Sequence, residues 1–317
     1  MSNKKLNRRN MLKTATLSLG GLSVAGFTSE KLFSDDTKGS HFKEKVAFIT
    51  GGARGIGYSI AEELAKLGVH IAIYDIAANI KEIPYELSSA TDLENAKTKI
   101  VSHNVKCLTF KGDVRNEEHL KNALNETKEK FGKIDFLVAN AAVTRFGELV
   151  NHDEKTIQTL LDVNLKGVIN TVKTSIPIFK EQNSGRIITI SSMAGREGTA
   201  LFPVYSATKW GVIGFTKSMA IELGTHNITC NTICPTGIRT KLVLNDHMAK
   251  IFGDTETSDK GEGFNTYLKS SVHTMPVGLL DPIEIAKTAV FLCSDGAQYI
   301  TGAALDVAAG CNSRNSA

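Results

Sequence analysis

Several absences bound what this 317-residue chain can be before any motif is read. Its five cysteines, Cys107, Cys230, Cys234, Cys293 and Cys311, are an odd number without zinc-ligand spacing. Cys230 and Cys234 share one strand-like run. At about 3.3 Å per residue their Cα atoms fall roughly 13 Å apart, beyond disulfide reach, so buried thiols are expected. The eight histidines form no H-E-x-x-H or comparable ligand pair, and no metal is expected. No run approaches the roughly 20 apolar residues of a membrane-spanning helix. Internal repeats and low-complexity segments are missing, and no Pro- or Gly-rich linker divides the chain after residue 41. The net charge of +4 is no general basicity, because residues 1–25 alone carry Lys4, Lys5, Arg8, Arg9 and Lys13 without an acidic residue. The remainder is slightly acidic and has no electrostatic footprint for nucleic acid.

What is present begins with that basic segment. Asn7-Arg8-Arg9-Asn10-Met11-Leu12-Lys13 resembles a twin-arginine export signal, followed by a modestly apolar stretch from Thr14 to Thr28 with small residues at Ser23-Val24-Ala25. Residues 1–25 therefore read as a signal segment, 26–40 as a polar linker and 41–317 as the folded domain, which implies export to the periplasm. The alternative reading is a leader retained on a cytoplasmic protein, as a basic tail or an uncleaved anchor.

Apolar residues make up 42% of the chain, enough for a sizeable core. From Lys45 onward, short β-branched runs at 45–50, 70–75, 106–110, 134–139, 186–191, 228–233 and 303–307 alternate with helical patterns. The helical stretches lie near 56–67, 91–103, 116–131, 154–181, 204–224 and 282–293. This alternation predicts a single doubly wound α/β domain of Rossmann type, with a mostly parallel seven-stranded sheet and helices on both faces. Two stretches interrupt it. Residues 76–90 exceed what a tight strand-to-helix connection needs. Residues 241–276 mix apolar positions such as Leu242, Val243, Met248, Phe252 and Phe264 with glycine and charge. Loops at the carboxyl ends of parallel strands line the ligand crevice, so the first reads as a cofactor flap and the second as a substrate lid. The competing reading of each is an insertion without function.

Thr50-Gly51-Gly52-Ala53-Arg54-Gly55-Ile56-Gly57 closes the first apolar run and opens a helical one. A strand, a tight glycine turn and a helix start present backbone N–H groups to a pyrophosphate. Gly51 permits the turn, Gly55 lets the dinucleotide approach and Gly57 lets the helix lie close to the strand. The second strand ends in Asp75, placed to accept hydrogen bonds from the adenosine ribose hydroxyls. A carboxylate there repels a 2′-phosphate, which points to NAD; Arg54 pulls the other way.

Tyr205-Ser206-Ala207-Thr208-Lys209 lies in a helical pattern, so Lys209 falls one turn beyond Tyr205 on one face. A nearby ammonium favours phenolate and would fit Tyr205 for acid/base work. Thirteen residues earlier, the strand Ile187-Ile188-Thr189-Ile190 runs into Ser191-Ser192. With the glycine turn, these motifs resemble the short-chain dehydrogenase/reductase family over residues 43–312. Asp113-Val114 matches that family's adenine-contacting pair. Asn140-Ala141-Ala142 matches its N-A-G, with alanine for glycine, and Asn164 the fourth member of its catalytic tetrad. The resemblance implies that Ser192 bonds the substrate oxygen and Tyr205 is the acid/base. Lys209 would lower the tyrosine's pKa and bind the nicotinamide ribose. Asn164 would hold a water of the proton route; a buried asparagine satisfying helix backbone is the competing reading. Ser191 is left structural. In Pro235-Thr236-Gly237-Ile238-Arg239-Thr240 threonine replaces the family's usual glycine, while Ile238 and Thr240 match positions that hold the nicotinamide carboxamide.

The segment from Asp75 to Asp113 and the P-T-x-I-x-T loop resemble the carveol-dehydrogenase-like, mycofactocin-associated branch. That resemblance implies NAD that does not exchange freely and an external redox carrier that reoxidises it in place. The reading is an NAD-dependent oxidoreductase interconverting a hydrophobic secondary alcohol and its ketone. Alternatives are an NADPH-dependent 3-oxoacyl-thioester reductase and a catalytically silent nucleotide-binding regulatory protein. The C-terminal resemblance around Asp306 to Gly310 implies a homotetramer or dimer.

Overall fold

Strands form where β-branched and aromatic residues run without a breaker. In the computed structural model, which describes residues 41–254 and 259–314, there are seven. They are β1 Val46–Thr50, β2 His70–Asp75, β3 Cys107–Lys111, β4 Phe136–Ala139, β5 Gly185–Ile190, β6 Ile228–Pro235 and β7 Ala304–Val307. All pair in parallel, in the order β3-β2-β1-β4-β5-β6-β7. A parallel sheet is covered on both faces, which is why β1, β4 and β6 are buried along their whole lengths. The order reverses beside β1: Thr50 pairs with Tyr74 on one side and Ala139 on the other. Connections leave these neighbours in opposite senses and open a crevice at their carboxyl ends. The signal and linker expectations, residues 1–25 and 26–40, lie outside the described residues.

The covering helices are α1 Gly55–Lys66, α2 Ala90–Val101, α3 Glu117–Phe131, α4 Glu154–Leu161, α5 Gly167–Gln182, α6 Pro203–Leu223, α7 Asp246–Phe252, α8 Glu262–Tyr267 and α9 Pro282–Cys293. Leu64 of α1, Ile100 of α2 and Ile285 of α9 pack with Ile49 and Ile71 on one face. Leu124 of α3, Phe179 of α5 and Leu223 of α6 pack with Phe48 and Leu137 on the other. Each fully buried side chain of this kind contributes about 1.5–3 kcal/mol. Several helix starts are capped from the sequence: Ser89 and Asp92 form a reciprocal capping box, and Asn116, Asp153 and Asn245 accept from the first turns of α3, α4 and α7. Helix α1 starts at Arg54 without a side-chain cap.

Two departures from the sequence reading matter for the site. The stretch expected as one helix over 154–181 is broken by a π-turn at Asp162–Lys166 between α4 and α5. The lid stretch 241–276 is partly helical, containing α7, α8 and a second π-turn at Leu268–Val272. All five thiols are free, and all but Cys311 are buried.

Candidate active site

The floor of the crevice is the glycine turn. Gly51 and Gly55 hold φ +67° and +60°, values that favour glycine, and a Cβ on Gly57 would stand 2.3 Å from the Gly51 carbonyl oxygen. The turn is fastened to β4 by Asn140, whose Nδ2 donates to the carbonyls of Thr50 and Gly51, both at 3.0 Å. Asn140, expected to contact cofactor, thus has its amide nitrogen committed to the turn. No side-chain cap meets the first-turn N–H groups of α1. Asp75 ends β2 buried, accepting from Ala53 N at 3.0 Å, from Ala77 N at 3.1 Å and from the Ser88 hydroxyl. A carboxylate has about four acceptor positions, so roughly one remains for a ligand. Farther along, the Asp113 carboxylate is gripped by its own neighbour Arg115, with Nη2 2.6 Å from Oδ2, while Val114 packs into the core.

At the other end, Tyr205 and Lys209 project one turn apart from α6. The Lys209 Nζ lies 5.5 Å from the centre of the Tyr205 ring and donates to the Ile190 carbonyl at 2.9 Å. Burial lowers the Lys209 pKa to about 8 and pushes that of Tyr205 up to about 12. Against that burial, the Ser192 hydroxyl pulls the Tyr205 pKa back down towards phenolate. Ser192 Oγ accepts from Ala194 N at 3.1 Å, whereas Ser191 Oγ turns away and donates to the Lys209 carbonyl at 2.8 Å. Asn164 sits in the π-turn, wholly buried. Its Oδ1 accepts from Val143 N and its Nδ2 donates to Val143 O, each at 2.8 Å. The extra residue of the π-turn aims the amide at the loop after β4, so it clamps that loop and not helix backbone. Of the residues expected to form the site, all but Gly57 and Asn164 line one crevice, Ile56, Ala141, Ile238 and Thr240 included.

The roof has two parts. Residues 76–90 cross the floor with Ile80 and Ile83 buried in the main core. Polar bonds fasten them: Ser88 to Asp75, Arg54 Nη2 to the Glu86 carbonyl at 2.7 Å, Arg145 Nη1 to the Glu82 carbonyl at 3.2 Å, and Thr144 N to Tyr85 Oη at 3.0 Å. The lid is held mainly by apolar packing, with His247 Nε2 also 2.9 Å from the Phe146 carbonyl. Val243, Met248, Phe264 and Leu268 form a separate cluster with Phe146, against which Phe202 and Phe252 pack. The Phe202 ring in turn lies 5.6 Å from that of Tyr205.

This geometry has close counterparts. The short chain dehydrogenase family description matches residues 45–249. The chain belongs to this family. As a short-chain dehydrogenase it is an oxidoreductase acting on CH–OH groups. It is 32% identical to (-)-trans-carveol dehydrogenase of Rhodococcus erythropolis over 84% of this chain and 96% of that one. The crystal structure of carveol dehydrogenase from Mycobacterium avium in complex with NAD superposes with a TM-score of 0.82 at 36% identity, covering 85% of this chain and 98% of that one. A short chain dehydrogenase from Mycobacterium paratuberculosis bound to NAD gives 0.78 at 28% identity, covering 86% and 99%.

Within this dehydrogenase the structure adds residues that were not expected at the site. Tyr85 and Ser88 of the flap reach the crevice. The threonine of the P-T-G loop finds a use: the Thr236 hydroxyl meets His273 Nε2 at 2.7 Å, while His273 Nδ1 lies 2.8 Å from the Val277 carbonyl. A carbonyl only accepts, so Nδ1 carries the proton and Nε2 accepts from Thr236. His152 stands apart from the bonded His273. It is buried with neither ring nitrogen bonded among the described residues, and burial, with the charge of Arg145, lowers its pKa. A spaced motif could not have signalled these, because each depends on where a long loop lands.

Proposed function

We propose that this enzyme is an NAD-dependent oxidoreductase interconverting a hydrophobic secondary alcohol and its ketone. The observation that carries this reading is that Tyr205, Lys209 and Ser192 line the same crevice as the glycine turn and Asp75. The chain fits a dinucleotide. Arg54 Nη1 is buried beside the turn without a partner, and the first-turn N–H groups of α1 are uncapped. Together they suit a pyrophosphate. Asp75, already accepting from three donors, keeps an acceptor position suited to a ribose hydroxyl and is repellent to a 2′-phosphate. The NADPH-dependent alternative is disfavoured because Arg54, its supporting residue, is drawn to the flap carbonyl of Glu86.

Bound NAD supplies a hydride acceptor. Ser192 donates to the substrate oxygen and fixes it beside Tyr205, which takes the hydroxyl proton on oxidation and returns it on reduction. Lys209 holds the ribose edge and shares the proton load of the phenol. Asn164, through Val143, keeps the loop after β4 in place and borders the proton route. Ile238 and Thr240 suit the carboxamide edge, Asp113 and Val114 the adenine end. The apolar lid selects a hydrophobic alcohol. The buckled flap supports NAD that exchanges slowly, in keeping with a mycofactocin-associated enzyme reoxidised by an external carrier. With the twin-arginine-like leader, we read an exported enzyme that carries its dinucleotide with it. Exposed Trp210 and Ile221 on α6, and Phe291 and Tyr299 near the C-terminus, support a homo-oligomer, a tetramer or dimer.

The deciding experiment follows NADH formation at 340 nm with an apolar secondary alcohol. Tyr205→Phe is expected to lower kcat by roughly 10²–10⁴-fold with NAD still bound, the range for loss of an acid/base group. A wild type that reduces no NAD with any alcohol tried, and so behaves like Tyr205→Phe, would leave the silent regulatory protein as the better reading.

A further inference from the structure

The flap brings a second phenol to the reacting end of the crevice. Tyr85 lines it together with Tyr205 and Ser192, and the two phenols lie close enough to influence one another electrostatically. Around Tyr85 the walls are apolar, with Val143, Leu242 and Val243 lining the same space. Burial raises the Tyr85 pKa, so its hydroxyl stays protonated at any working pH. Thr144 N–H donates to the oxygen at 3.0 Å, which fixes how the hydroxyl is used. One lone pair is taken, and the phenol's own proton is left to donate. No acceptor among the described residues receives it. Tyr85 is half-buried and lines the crevice, so this donor is open to an incoming oxygen.

Tyr205 and Ser192 already serve the reacting oxygen, so the acceptor for Tyr85 is a different atom. Resting on the alcohol-dehydrogenase reading above, we propose that Tyr85 is a specificity-determining residue that donates a hydrogen bond to a second oxygen of the substrate. Preferred substrates are then apolar alcohols with a hydroxyl, carbonyl or ether oxygen on a carbon near the reacting one. The carboxamide of the nicotinamide is the other oxygen that could meet this donor, and the experiment separates the two.

The probes are cyclohexanol and trans-cyclohexane-1,2-diol, oxidised by the full-length enzyme with NAD. Wild type is expected to have the higher kcat/KM for the diol. In Tyr85→Phe the ratio of kcat/KM for diol over cyclohexanol is expected to fall at least fivefold, through KM. A smaller fall overturns the proposal. That includes the case in which both probes lose activity together and NAD is released faster, the signature of a bond to the carboxamide or of a loosened flap. A wild type that prefers cyclohexanol, or turns over neither probe, overturns it as well. Tyr205→Phe is assayed in parallel. If it oxidises both probes like wild type, the acid/base role of Tyr205 in the reading above fails, whatever the ratio shows.

Discussion

The flap and the lid cover the same floor and are held by different physics. The flap is fastened at named atoms: Ser88 on Asp75, Glu86 on Arg54, Glu82 on Arg145, Tyr85 on Thr144. Such bonds are directional and break as a set. The lid rests on rings, with Phe252 and Phe264 centred 4.6 Å apart and Phe146 and Phe252 6.2 Å apart. Apolar contact has no fixed direction and tolerates a shifted partner. A roof meant to keep one ligand needs the first kind, and a roof meant to admit different alcohols needs the second.

The strongest test of this division unbuckles the flap alone. Ser88→Ala combined with Arg145→Ala removes two hydrogen bonds that each involve a charged group, worth about 1.5–3 kcal/mol apiece. Release of NAD, followed by rapid desalting and absorbance, is expected to accelerate about a hundredfold, with KM for an apolar alcohol moving far less. Equal changes in both would erase the distinction between the two roofs. The converse variant is Phe252→Ala in the lid. Truncating a packed phenylalanine removes up to about 3–5 kcal/mol in a full core, and less at this half-buried position. KM for an apolar alcohol is expected to rise about tenfold and the melting temperature to fall, while NAD release stays within about threefold of wild type.

How much of this was legible in the chain follows the same line. The floor was legible because it is local: Gly51, Gly55 and Gly57 on one turn, Tyr205 and Lys209 on one helical turn, Ser192 at a strand end. Spacing and periodicity encode such neighbours directly. The roof was legible only as an interruption. That Tyr85 would meet Thr144, 59 residues away, or Thr236 meet His273, 37 away, depends on long-range packing that no spacing carries. Asn164 fell between these cases. The residue was readable, but its bonding to Val143 required the π-turn, which the apolar period of 154–181 concealed.

One polar contact of the lid reaches the P-T-G loop, and it gives a smaller test. In Thr236→Val the shape is nearly kept and the donor to His273 Nε2 is lost, at about 1 kcal/mol. Melting is expected to shift by a few degrees and KM by about threefold, with NAD release unchanged. A large effect on NAD release would mean that the clasp serves the cofactor loop first and the lid second.

The smallest expected effect concerns the groups beneath both roofs. Lys209 is buried by the sheet end, donating to Ile190, and its pKa of about 8 reflects burial with a small opposing contribution from Cys234. Tyr205, near 12, is still protonated there. As pH rises through 8 the pair therefore loses its first proton from Lys209 and becomes able to absorb one from an alcohol. Oxidation is expected to quicken across that range and reduction to slow. The same burial has a stability consequence. The folded chain holds fewer protons than the unfolded one between about pH 8 and the ordinary lysine pKa of 10.4, so burying Lys209 costs stability in full below pH 8, and that cost is relieved as pH rises through the window. Neither roof touches Lys209 in a way that sets this value. The oxidation limb in the flap and lid variants is accordingly expected within about half a pH unit of wild type. A larger displacement in the flap variant would show that the buckle, and not the sheet, keeps water from the lysine.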